Sequence, residues 1–91
     1  MKGYGIVFMN QKCIVLAIKD SILESQKLTM SIFGTLEVPE NVEEFVLAIS
    51  SIDFVDLMIK VEDKLGIDAS EYMSMTKLKI GDLAKRIAGN E

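Results

Sequence analysis

The chain reads as a small all-α protein, a four-helix bundle with three longer helices and one short one. Three observations predict this. One proline and six methionines among 91 residues favour helices over a sandwich of short strands. Apolar residues recur at helical spacing, as in Ile14, Ile18 and Ile22, or Leu83, Ala84 and Ile87. Asn10 is a good helix-starting residue and Gly66 a good helix-ending one. Residues 1–91 are long enough for a single domain with a modest core. An apolar content of 49% lies well above that of disordered chains.

The elements follow in order. Residues 1–9 are apolar with two glycines; they either extend the first helix or pack as an N-terminal arm, and the residues leave both open. Ile6-Val7-Phe8-Met9 is too short for the apolar core of a signal peptide. The first helix starts at the cap Asn10 and runs to about Lys27, with Ile14, Ile18, Ile22, Val15 and Leu23 on its buried side. Cys13, beside Ile14, Ala17 and Ile18, reads as a small core residue. Residues 28–50 form a long connection punctuated by Gly34 and Pro39. Val42, Phe45, Val46 and Ile49 follow an i, i+3, i+4, i+7 pattern. A bare loop of that length is unusual in a compact domain, so one short helix is expected around 40–48.

The next helix, about Ser51 to Leu65, divides into faces. Phe54, Leu57, Val61 and Leu65 lie along one side and should enter the core. Asp53, Asp56, Lys60, Asp63 and Lys64 gather on another arc. A second apolar strip, Ile52, Val55 and Ile59, is turned well away from the core side, with Ser51 bordering it and Glu62 further along. That strip is either covered by residues 1–9 or the long loop, or it is an exposed docking patch with acids at its margin. Asp68-Ala69-Ser70-Glu71 has capping-box spacing and should start a short helix through about Met75. A last helix, about Ile80 to Ala88, buries Leu83, Ala84, Ile87 and Ala88.

Composition excludes several chemistries. Fourteen acids against ten bases give a net charge of −4. Such a surface repels phosphates, so nucleic acid is a poor partner and a basic protein surface a suitable one. The chain has one cysteine and no histidine. An internal disulfide, a Cys-His nucleophile and a Ser-His-Asp triad are therefore impossible, and a reducing cytoplasm is the natural location. No Gly-rich phosphate loop and no calcium-loop spacing is present. The pairs Asp53 with Asp56 and Glu43 with Glu44 read as solvated faces. No stretch approaches the ~20 apolar residues a membrane span requires. An autonomous enzyme is not expected.

Ser51 reads first as a helix cap, a role worth ~1 kcal/mol. A set of features in order suggests more. Ser51-Ile52-Asp53 opens an acidic helix that ends in Gly66-Ile67-Asp68, and Ile80-Gly81-Asp82-Leu83 opens the last helix at matching spacing. Over roughly residues 10–88 this resembles the acyl carrier protein family, whose signature is Asp-Ser-Leu followed by an acidic helix. Here Ser50 stands where the family has aspartate. The resemblance implies a carrier-like bundle in which Ser51 carries 4′-phosphopantetheine through a phosphodiester and holds acyl or aminoacyl groups as thioesters. Ser50 is a rival attachment point; Ser51 leaves Ile52 and Asp53 in the family's register. The implied partners are a phosphopantetheinyl transferase and acyl- or aminoacyl-transferring enzymes with basic docking surfaces. They would meet Ile52, Asp53, Val55, Asp56, Ile59, Glu62 and Asp63. Fatty acid synthesis, a specialised acyl or peptide pathway and cell-envelope modification all fit. The alternative is a carrier-like module that is never modified and binds partners through Ile52, Val55 and Ile59.

Overall fold

The structure, a computed structural model, describes residues 10–89. It is all-α, a four-helix bundle of α1 (Gln11–Leu23), α2 (Gln26–Phe33), α3 (Ser51–Leu65) and α4 (Ile80–Gly89). Single 3₁₀ turns at Val42–Glu44 and Ser70–Tyr72 interrupt the connections. The expected arm at residues 1–9 lies outside the described residues.

α1 starts as its cap dictates: the Asn10 side chain accepts from the Cys13 N–H at 2.9 Å. Ile14, Ile18 and Ile22 are fully buried, and this side of α1 packs on both α3 and α4. Cys13 is exposed, not in the core. It sits about 100° around the helix from Ile14, just past the edge of the buried stripe.

The first helix does not run on to Lys27. It ends at Leu23, and Ser25 turns extended to cap a separate helix, its Oγ accepting from the Leu28 N–H at 3.2 Å. The short helix of the bundle is therefore α2. Leu28, Ile32 and Phe33 give it a buried side, and the Thr29 hydroxyl ties it back to α1, 3.1 Å from the Ile22 carbonyl. Gly34, at φ 75°, closes α2 with its N–H on the Met30 carbonyl.

The connection to α3 holds a 3₁₀ turn rather than a helix over 40–48. Beyond it the chain is extended, because Val46 pairs with Lys79 in an isolated antiparallel bridge. Leu47 N–H donates to Leu78 O at 2.8 Å and Ile80 N–H to Phe45 O at 2.9 Å. The side-chain period there is two, not 3.6. Leu47 is fully buried, Phe45 meets Phe33 edge-on at 5.2 Å, and Val46 points outward. The helical pattern through Val46 thus picked the wrong neighbour.

After Gly66 the expected helix to Met75 shrinks to one 3₁₀ turn. The Asp68 side chain accepts from the N–H of Ser70, a local turn that competes with a helical start. Tyr72 from this segment is buried in the core. α4 buries Ile80, Leu83, Ala84 and Ile87, with Ala88 half-buried.

Candidate attachment and docking site

α3 carries every residue singled out for function. Its start is set by Ser50, not Ser51. Ser50 is extended, and its Oγ accepts from the Asp53 N–H at 3.2 Å while its carbonyl takes the Phe54 N–H at 2.8 Å. Ile49 before the cap and Phe54 at the fourth helical position both belong to the core, the placement of a hydrophobic staple. Ser51 is therefore the first helical residue. Its hydroxyl is exposed and has no partner among the described residues. The N–H groups of Ser51 and Ile52 likewise have no acceptor there. Together they form the positive end of the α3 dipole, which favours an anion.

The two faces of α3 separate as their spacing requires. Phe54, Leu57, Met58 and Val61 are fully buried, and Leu65 packs against the core. On the opposite side Ile52 is 77% exposed and Ile59 50%. Val55 is half-buried, and Asp56 and Asp63 are exposed. The described residues leave this apolar strip uncovered at Ile52 and Ile59.

The acids differ in availability. Asp53 is tied to Lys27 of α2 at 3.4 Å. Glu62 is half-buried and accepts from the Ala69 N–H at 2.6 Å, holding the segment after Gly66 against α3. Asp56 and Asp63 have no ion-pair partner among the described residues. On the other flank of α3, Lys64 and Lys60 face Glu24 at the end of α1. The Lys64 hydrogen bond, helped by the nearby Lys60 charge, holds the Glu24 carboxyl below its usual range. Hydrogen bonds from Ser70 do the same for Asp68.

Two of these roles escaped sequence reasoning. The tandem serines allow two registers, and the Ser50-x-x-Asp53 spacing was the available signal for the correct cap. The Lys27 and Glu24 pairings join distant elements, and no local pattern announces them. Among the described residues no three metal-ligating side chains cluster, and no helix is long and apolar enough to cross a membrane. Compared with family models, with curated proteins and with solved structures, the chain matches none.

Proposed function

We propose that this protein is a non-catalytic cytoplasmic carrier that holds acyl or aminoacyl groups as thioesters on a 4′-phosphopantetheine arm attached to Ser51. One observation carries the reading: because Ser50 takes the cap, the Ser51 hydroxyl is exposed and, among the described residues, unpaired beside two backbone N–H groups without acceptors. Those donors fit a phosphodiester at this position, where the helix dipole favours its negative charge. When bound, the arm supplies the reactive thiol. The residues of the chain bind, present and recognise, and none needs to act as a catalyst.

The exposed face of α3 supports the recognition half of this reading. Ile52, Val55 and Ile59 offer apolar contact, and Asp56 and Asp63 flank it with charge that no described residue pairs. A transferase or acyl-handling enzyme with lysines and arginines around an apolar depression complements such a face. Asp53 and Glu62 are engaged within the fold and contribute less to docking than the other two acids.

The same strip also supports the second reading, an unmodified interaction module. Ser50 satisfies the cap as aspartate would but brings no carboxylate to the attachment point, which favours that alternative. Intact mass after co-expression with a phosphopantetheinyl transferase separates the two. The carrier reading expects a mass increase that peptide mapping places on Ser51 and that Ser51→Ala abolishes. An arm on Ser50, or an unchanged mass with every transferase tried, overturns it.

A further inference from the structure

We infer that the protein associates with a second copy of itself, the outer face of α3 of one copy seating antiparallel in a groove beside α1 of the other. The groove lies between α1 and the segment that leads into the 3₁₀ turn. Lys12, Leu16 and Lys19 form the α1 wall, which carries the cations, and Val38, Pro39, Glu40 and Glu43 form the other, which carries acids. Leu16 is 48% exposed and Val38 also 48%, so apolar surface lies open between the charged walls.

The occupant follows from charge and register. Lys12, Leu16 and Lys19 stand at i, i+4 and i+7 on α1, one face of a helix with a leucine between two cations. On α3, Asp63, Ile59 and Asp56 stand at i, i−4 and i−7, an isoleucine between two anions. The offsets coincide when the helices run antiparallel. Lys12 then meets Asp63, Leu16 meets Ile59, and Lys19 meets Asp56, over about 10 Å of helix. Asp56 and Asp63 are without an ion-pair partner among the described residues, as is Lys12, and Lys19 reaches only its own neighbour Asp20 at 3.7 Å. Run parallel, the offsets place Ile59 one residue out of line with Leu16.

Groove and strip are different surfaces, so the contact is heterologous. Dimers form first, and longer chains follow at higher concentration. The contact is small and its ion pairs are at the rim, so association is weak and weakens further with salt. It covers the α3 face of the copy seated in the groove, which then cannot offer that face to another protein, whereas the copy at the end of the chain still can. The inference does not rest on modification of Ser51.

Sedimentation velocity over a concentration series at low salt tests it. The wild type should shift to faster-sedimenting species as concentration rises. Lys12→Glu with Lys19→Glu should raise the dissociation constant about tenfold or more, and so should Asp56→Lys with Asp63→Lys, since each turns two attractions into repulsions. The chain with all four reversals keeps the net charge and restores complementarity. It should associate with itself as the wild type does, yet fail to mix with the wild type. Circular dichroism checks that each variant is folded. A wild type that stays monomeric throughout overturns the inference, as does a folded fourfold variant that stays monomeric.

Discussion

Ser50 and Ser51 are neighbours in the chain with opposite roles. Ser50 Oγ is spent on the Asp53 N–H, whereas Ser51 Oγ has no partner among the described residues. Ser50→Ala should therefore cost about 1 kcal/mol in chemical denaturation, and Ser51→Ala almost nothing. A stability loss at Ser51 equal to that at Ser50 would contradict the register of α3. Glu62 carries a comparable distinction among the acids. Its carboxylate holds the Ala69 N–H at 2.6 Å, so Glu62→Ala leaves the buried Ala69 without the charged acceptor of its N–H and should cost about 1.5–3 kcal/mol. Asp56→Ala, at an exposed position with no partner among the described residues, should stay within about 0.5 kcal/mol of wild type. Partner affinity should respond in the reverse order, with Asp56 and Asp63 controlling the association rate and its salt dependence.

At the scale of elements, the contact between α4 and the 3₁₀ turn explains why a glycine sits in the first turn of α4. A Cβ at Gly81 would lie 3.0 Å from Glu43 Cβ and 3.2 Å from the Glu43 carbonyl oxygen. Overpacking costs about 1–3 kcal/mol, against the ~1 kcal/mol that alanine gains over glycine in a helix. Gly81→Ala should thus lower stability, by up to about 2 kcal/mol on those figures; a more stable variant would show that the turn yields freely. The break between α1 and α2 depends in the same way on one side chain. Ser25→Ala removes the cap that starts α2 and should cost about 1 kcal/mol, with hydrogen exchange rising first in Gln26–Phe33.

For the whole molecule, two carboxylates held below their ordinary values contribute to its response to acid. Glu24 is held below its ordinary value of 4.5 by Lys64, and Asp68 below 3.8 by Ser70. A carboxylate whose folded value is depressed adds stability above its unfolded value and loses it as pH falls through the folded one. The melting temperature should hold above these values and decline below them. Glu24→Gln with Asp68→Asn should flatten that decline, and an unaltered pH profile would assign it elsewhere. For the carrier function proposed above, the core bears on where an acyl group would lie. Phe54, Leu57, Met58 and Val61 are fully buried, so an acyl chain gains contact with them only by parting the helices. That is feasible because each helix satisfies its own backbone, and each buried CH₂ adds about 0.8 kcal/mol. Acylation should then raise the melting temperature progressively with chain length; equal melting of acylated and unacylated forms would place the cargo in solvent.

The helical class, the three longer helices and the inward faces of α1, α3 and α4 are legible in the order of the residues alone. Each of these follows from a local period: Ile14, Ile18 and Ile22, or Phe54, Leu57 and Val61, repeat at the pitch of the helix that buries them. That order also marked Ile52 and Ile59 as turned away from the core, because the same period that buries one side of α3 exposes the other. What lacked a local period was decided by tertiary structure. The extended Phe45–Leu47 segment exists because residues 78–80 lie alongside to receive its hydrogen bonds, and this made Leu47, not Val46, the core residue. The separate α2 requires Ser25 to turn and Thr29 to reach back to Ile22, contacts that gain their value only once α2 can bury Leu28 and Phe33. Which acids of α3 remain free was settled the same way, by Lys27 reaching Asp53 and Ala69 reaching Glu62, since a charge pattern along a helix says nothing of what stands opposite it.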